Sequence, residues 1–172
     1  MAMAMDLIGK VTPPTTQGHC FIIVATDYFT KWVEAVAMKG VNQAEVIQFL
    51  KSHIIHRFGL PETVTCDNGS IFVGDEVVAF AAKLGITFTH STPYYTQGNG
   101  QAEASNKILK GCLAKVVDDN PRRWAYMLSE VLWAFRTSQW ASMGTMPFSL
   151  TYGHDVVLPV EVSVKSTWVE IQ

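Results

Sequence analysis

With 172 residues, 48% hydrophobic and 16% charged, the chain has apolar material for one domain with a sizeable core and too much for a disordered segment. A net charge of −2 means that any affinity for nucleic acid must rest on local patches rather than on overall charge. Three widely spaced cysteines (Cys20, Cys66, Cys112) argue against a disulfide framework and for a reducing compartment, nuclear or cytoplasmic.

The opening Met1-Ala2-Met3-Ala4-Met5 has no basic region and no apolar stretch for a signal peptide, and reads as an artificial or truncated start. Met5 to Gly9 is a short apolar strand candidate, followed by the turn formers Thr12-Pro13-Pro14. His19 to Thr26, rich in β-branched and aromatic residues, predicts a buried strand, and Trp32 to Ala37 a third. Its apolar core, Phe21 to Ala25, is far too short to span a membrane.

Asn42 opens a helix whose apolar positions are Val46, Ile47, Leu50, Ile54 and Ile55, closed by Gly59 and Pro61. Thr63 to Cys66 is a short strand that delivers Asp67 at its C-terminal end. Asp75 to Leu84 predicts a helix with Val77, Val78, Phe80, Ala81 and Leu84 on its apolar face, and Ile86 to His90 a further strand. A polar loop from Ser91 to Asn99 precedes a long helix from about Gly100 to Asp118, and a second long helix runs from Asn120-Pro121 to about Trp140. A short helix near Pro147 to Tyr152 leads to an extended tail. Strands interleaved with helices give an α/β domain over residues 1–155, with 156–172 the start of a missing downstream region.

Asp6, Asp67 and Glu103 are three carboxylates in three local contexts, with 35 residues between the last two. Carboxylates are hard oxygen ligands suited to Mg²⁺ or Mn²⁺, and a pair of such ions about 3.5–4 Å apart serves phosphoryl transfer. Asp67 reads equally well as the start of an Asp-Asn-Gly turn, and Glu103 as an acid favoured by a helix N-terminus. At 100° per residue, Glu103, Asn106, Lys107 and Lys110 share one helix face, while Ala102, Leu109, Leu113 and Val116 share another that packs on the sheet. An amide and two ammonium groups beside the acid suit phosphate contacts, although Glu103–Lys107 also reads as ordinary i,i+4 pairing.

The chain resembles the catalytic core of retroviral and long-terminal-repeat retrotransposon integrases, most closely the Ty3/gypsy type from plants. The resemblance rests on Met5-Asp6-Leu7-Ile8-Gly9, Thr26-Asp27-Tyr28-Phe29-Thr30-Lys31-Trp32-Val33-Glu34-Ala35, Arg57-Phe58-Gly59-Leu60-Pro61 and Cys66-Asp67-Asn68-Gly69-Ser70-Ile71-Phe72. It continues through Gln97-Gly98-Asn99-Gly100-Gln101-Ala102-Glu103-Ala104-Ser105-Asn106-Lys107 and Tyr152-Gly153-His154, covering nearly the whole chain. It implies an RNase H-like fold, a five-stranded mixed sheet flanked by helices. It also implies two Mg²⁺ (or Mn²⁺) ions held by Asp6, Asp67 and Glu103 as both catalytic and metal-binding residues.

The implied activity is 3′-end processing and strand transfer of retrotransposon DNA, an in-line attack on a phosphodiester. Tyr94, Gln97, Asn99, Asn106, Lys107 and Lys110 match DNA-contacting positions. Asp27 falls on the second strand and reads as a strand-end or turn residue. His53 and His56 read as helix residues, so no zinc is expected. The partners implied are donor and target DNA and a second copy of the chain, with no membrane. Trp124, Trp133, Phe135 and Trp140 supply more aromatics than a small core needs, with core packing favoured for at least two. The alternative is a catalytically silent or domesticated fragment acting as a DNA-binding or dimerisation module. With only five residues before Asp6, its strand is expected to lie at a fraying edge.

Overall fold

The computed structural model describes residues 1–67, 69–90, 107–115, 121–140 and 143–157. Five strands form one sheet: β1 (Ala2–Gly9), β2 (Phe21–Asp27), β3 (Val33–Met38), β4 (Thr63–Cys66) and β5 (Thr87–His90), in the order β3-β2-β1-β4-β5. β1 pairs antiparallel with β2 and parallel with β4, so the sheet is mixed. Contrary to expectation, the strand bearing Asp6 is not a fraying edge. β1 starts at Ala2 and is the central strand, because Met3 and Met5 are buried beneath one layer while both flanks are hydrogen-bonded.

Side-chain alternation divides the strands between two cores. Met3, Met5, Ile23, Ala25, Val64 and Cys66 face a layer built by α1 (Gln43–Phe49), a π-helical turn (Leu50–Ile55), α2 (His56–Phe58) and α3 (Asp75–Leu84). Ile8, Ile22, Val24, Val33 and Ala35 face α4, described over 107–115, and α5 (Trp124–Thr137), which follows a 3₁₀ turn at Pro121–Arg123. Helix α6 (Pro147–Tyr152) stands where expected, with Pro147 in its first turn and Gly153 left-handed at its end.

Asn42 begins α1 through a reciprocal capping box with Glu45. The helix then leaves regular spacing at Leu50, so Phe49 joins Val46, Leu50 and Ile54 in the core while Ile47 and Ile55 only flank it. Fully buried Phe49 and Phe72 each contribute roughly 1.5–3 kcal/mol through apolar burial. In α3 only Val77 and Ala81 of the expected apolar face are buried, and Val78 is exposed. Gly74 brings no side chain to cap α3. The Gln43 amide reaches across instead and accepts the Glu76 N–H at 3.0 Å, in space that a Cβ at Gly74 would fill. Gly9 lies under the Phe21 ring across the ladder, where any Cβ would overlap it.

The second long helix ends at Thr137 rather than near Trp140, which instead bridges to Thr145. Trp124 and Phe135 are core residues, as expected for two of the aromatic set, while Trp133 is exposed and packs edge-on against Phe148 at 6.0 Å. Strand β3 carries a buried charge. Glu34 Oε1 accepts from Trp32 Nε1 at 2.7 Å and pairs with Arg57 at 2.6 Å, and its Oε2 pairs with Arg136 at 3.1 Å. Burial, opposed chiefly by the Glu34 charge, lowers the Arg136 pKa. No helix among the described residues is long and apolar enough to cross a membrane.

Candidate active site

The β1–β4 register runs Ala2↔Thr63, Met3↔Val64 and Ala4↔Thr65. Asp6 lies two residues beyond the last partner on β1, and Asp67 two residues beyond it on β4. Both therefore leave the pair at the same end, on strands about 4.8 Å apart. Alternation also gives them the same face. Asp6 is paired with Val24, which belongs to the α4–α5 core, whereas its neighbour Met5 belongs to the opposite one. On β4, Val64 and Cys66 point to the α1–α3 core, so Thr65 and then Asp67 turn to the face of Asp6.

Local contacts hold each carboxylate. Asp6 Oδ1 accepts the Leu7 N–H at 2.8 Å. Asp67 Oδ1 accepts the Gly69 N–H at 3.0 Å, and a Cβ at position 69 would stand only 2.8 Å from that oxygen. Glycine at 69 is thus what admits the carboxylate into its own turn, which Phe72, almost fully buried, anchors through a bond to the Gly69 carbonyl. Behind Asp67, the Cys66 thiol is pushed up to about 12, first by burial and then by the Asp67 charge. It is therefore a neutral thiol, lying 3.6 Å from His90 Nδ1, and not a nucleophile. The Thr65 and Thr89 hydroxyls meet at 2.9 Å and tie the ends of β4 and β5 together.

Helix α4 covers the face that bears Asp6. Leu109 and Leu113 are buried in the core there, while Lys107 and Lys110 are exposed, as their spacing predicts. Glu103, Tyr94, Gln97, Asn99 and Asn106 lie outside the described residues, as does the tail from 158. Among the described residues no group of three or more His, Cys, Asp or Glu side chains is placed to hold a metal ion. The two aspartates supply hard oxygen donors of the kind Mg²⁺ and Mn²⁺ take, so they suit such an ion.

Asp27 is the strand-end residue expected: its Oδ2 accepts from both the backbone N–H and the hydroxyl of Thr30, each at 2.8 Å. His53 and His56 are helix residues, and the His53 ring stacks on Phe49 at 5.3 Å. Two features escaped the sequence reading. One is the part Gly69 plays beside Asp67, which the Asp-Asn-Gly order could have signalled. The other is a cavity of about 410 Å³ between β1, α4 and the start of α5, lined in part by Ile8, Lys110 and Trp124, which no motif announces.

The family model described as "Integrase core domain" matches residues 2–96. The Gag-Pol polyprotein of avian reticuloendotheliosis virus is 32% identical over 136 residues, covering 79% of this chain but only 12% of that polyprotein. The chain thus spans about an eighth of that relative. The intasome of simian T-cell lymphotropic virus, solved in complex with PP2A regulatory subunit B56 gamma, superposes with a TM-score of 0.77. It is 24% identical, and the match covers 91% of this chain and 56% of that one. The integrase catalytic core domain of HTLV-2, a trimeric form solved with magnesium, gives a TM-score of 0.70 at 21% identity, over 88% of this chain and 95% of that one. At such identities the two structures speak for the fold, an RNase H-like mixed sheet with flanking helices.

Proposed function

The chain belongs to the integrase core domain family, and on that premise we propose that it performs DNA integration by metal-dependent polynucleotidyl transfer. The substrate is retrotransposon DNA, processed at its 3′ ends and then joined to target DNA. The observation that carries this reading is the placement of Asp6 and Asp67 at the same end and on the same face of neighbouring parallel strands.

Asp6 and Asp67, with Glu103 as third ligand, would hold two Mg²⁺ or Mn²⁺ ions. When bound, such ions supply Lewis-acid stabilisation of the attacking and leaving oxygens of an in-line displacement. The protein's own contribution is to bring the two carboxylates together on a rigid sheet and to carry positive charge beside them. Lys107 and Lys110, exposed on the helix that packs over this face, hold phosphates of the DNA backbone. Tyr94, Gln97, Asn99 and Asn106 complete the DNA contacts in this reading. Residues 1–155 form the catalytic core in this reading.

The plant Ty3/gypsy origin is supported by the motifs, such as Lys31-Trp32-Val33-Glu34-Ala35 and Gln97-Gly98-Asn99-Gly100-Gln101-Ala102-Glu103. The protein works in the nucleus or cytoplasm and as a homodimer or higher oligomer. Light scattering at micromolar concentration tests the last point, and a monomer mass refutes it.

The catalytic reading is tested by titrating Mn²⁺ into the purified chain and following cleavage and joining of a branched DNA. Joining that disappears in Asp67→Asn is the expected outcome. If wild type and variant behave alike, the enzymatic reading fails and a silent DNA-binding or dimerisation module takes its place.

A further inference from the structure

The cavity between β1, α4 and α5 contains an unanswered hydrogen-bond donor. Trp124 lines it and is 3% exposed, and its indole Nε1–H is buried with no partner among the described residues. Buried donors are satisfied in nearly all native structures, so an orphan beside an open space points to an acceptor that enters from outside. The other polar groups at the cavity are the Thr12 hydroxyl and the Lys110 ammonium, and the remaining walls are apolar, with Ile8, Leu113 and Ala114 among them.

The cavity's position ties it to the site already described. Ile8 is two residues beyond Asp6 on β1 and on the same face, roughly 7 Å along the strand. Lys110 lies on the same exposed helix surface as Lys107. A space of about 410 Å³ is within the range of small-ligand pockets. Apolar walls suit the flat faces of a heteroaromatic ring, a lone N–H suits its carbonyl oxygen or ring nitrogen, and an ammonium at the rim suits an attached phosphate.

We propose that this cavity is the subsite for one unstacked nucleobase of the DNA substrate, read by the Trp124 N–H and the Thr12 hydroxyl while Lys110 holds its phosphate. The proposal rests on the DNA-binding part of the reading above and not on catalysis.

The test measures binding of the whole chain to labelled branched DNA by fluorescence anisotropy without a catalytic metal. Single abasic sites are moved along the strand near the junction. In the wild type one position weakens binding by about two- to tenfold, the value of one hydrogen bond. Trp124→Phe keeps an aromatic ring, smaller than the indole, and removes the donor. It binds intact DNA as weakly as the wild type binds DNA abasic at that position, and shows little further loss there. Ala114→Trp, a change at an exposed helix position, fills the cavity and has the same effect without touching the core.

A flat abasic scan in the wild type overturns the proposal and leaves a cavity that holds water only. So does Trp124-dependent binding of free thymidine monophosphate with a flat scan, which would make this a site for free nucleotides. Base dependence that survives in an Asp67→Asn variant with unaltered joining sinks the catalytic reading and not this one. Asp67-dependent joining with a flat scan sinks this one alone.

Discussion

Replacing Glu34 by glutamine removes one negative charge from a site where two guanidinium groups depend on it. The Glu34 side chain is 5% exposed and that of Arg136 14%, whereas Arg57 is 40% exposed and can turn toward water. The cost therefore falls mainly on Arg136, which stays fixed by two hydrogen bonds to the Val33 carbonyl, at 2.9 and 2.6 Å, and by the Trp32 ring at 4.3 Å. Leaving a buried charge without its partner costs about 3–5 kcal/mol. Glutamine keeps the acceptor for Trp32 Nε1, and Arg136 keeps Val33, so the lower end, about 3 kcal/mol, applies. For a chain of this size that lowers Tm by roughly 6–12 °C, read by circular dichroism. The double change Glu34→Leu with Arg136→Met removes both charges and should recover most of the loss. A fall of under about 2 °C for Glu34→Gln would refute the reasoning, because Arg136 would then tolerate burial alone.

Two further outcomes are expected. Burial, more than the opposing pull of Glu34 or the push of Arg57, lowers the His53 pKa from its ordinary 6.5. The unfolded chain therefore binds this proton more readily than the folded one, and stability falls as pH drops through 6.5 toward the folded value. Between about pH 7 and about pH 5, Tm should drop less in His53→Gln than in the wild type, and equal slopes would discard this account. Lys107→Ala should weaken DNA binding at all sequences and reduce the slope of log affinity against log salt by roughly 0.7–0.9. An unchanged slope removes Lys107 from the phosphate contacts.

Patterns of local origin were legible in the sequence. The limits of β4, α3 and α6 follow from short apolar runs bounded by turn formers, and the start of α1 from the Asn42–Glu45 box. The aspartates were recognisable as a pair because their motifs are specific, and their common face follows once β1 and β4 are known to be neighbours. What escaped depends on contacts far apart in the chain. The place of β1 at the centre is decided by partners 12 or more residues away on either flank, and counting residues from the start pointed to an edge instead. The shift at Leu50 lets Phe49 turn inward, which regular helical spacing does not anticipate. Burial of Glu34 needs Arg57 and Arg136, which only the folded chain brings to it.

The central position of β1 has a consequence for how the two aspartates are kept in place. β1 pairs with β2 from Met3 to Gly9 and with β4 from Ala2 to Ala4, so Asp6, opposite Val24, sits inside a continuous ladder and is released only by an opening close to global unfolding. Asp67 stands past the last ladder pair, Cys66↔His90, and its geometry depends on the short turn closed by Gly69 and Phe72. Local opening there moves one carboxylate and leaves the other untouched. Amide hydrogen exchange should therefore separate the two halves of the site, slow around Asp6 and fast around Asp67. A fault in the turn then displaces one carboxylate while the fold survives.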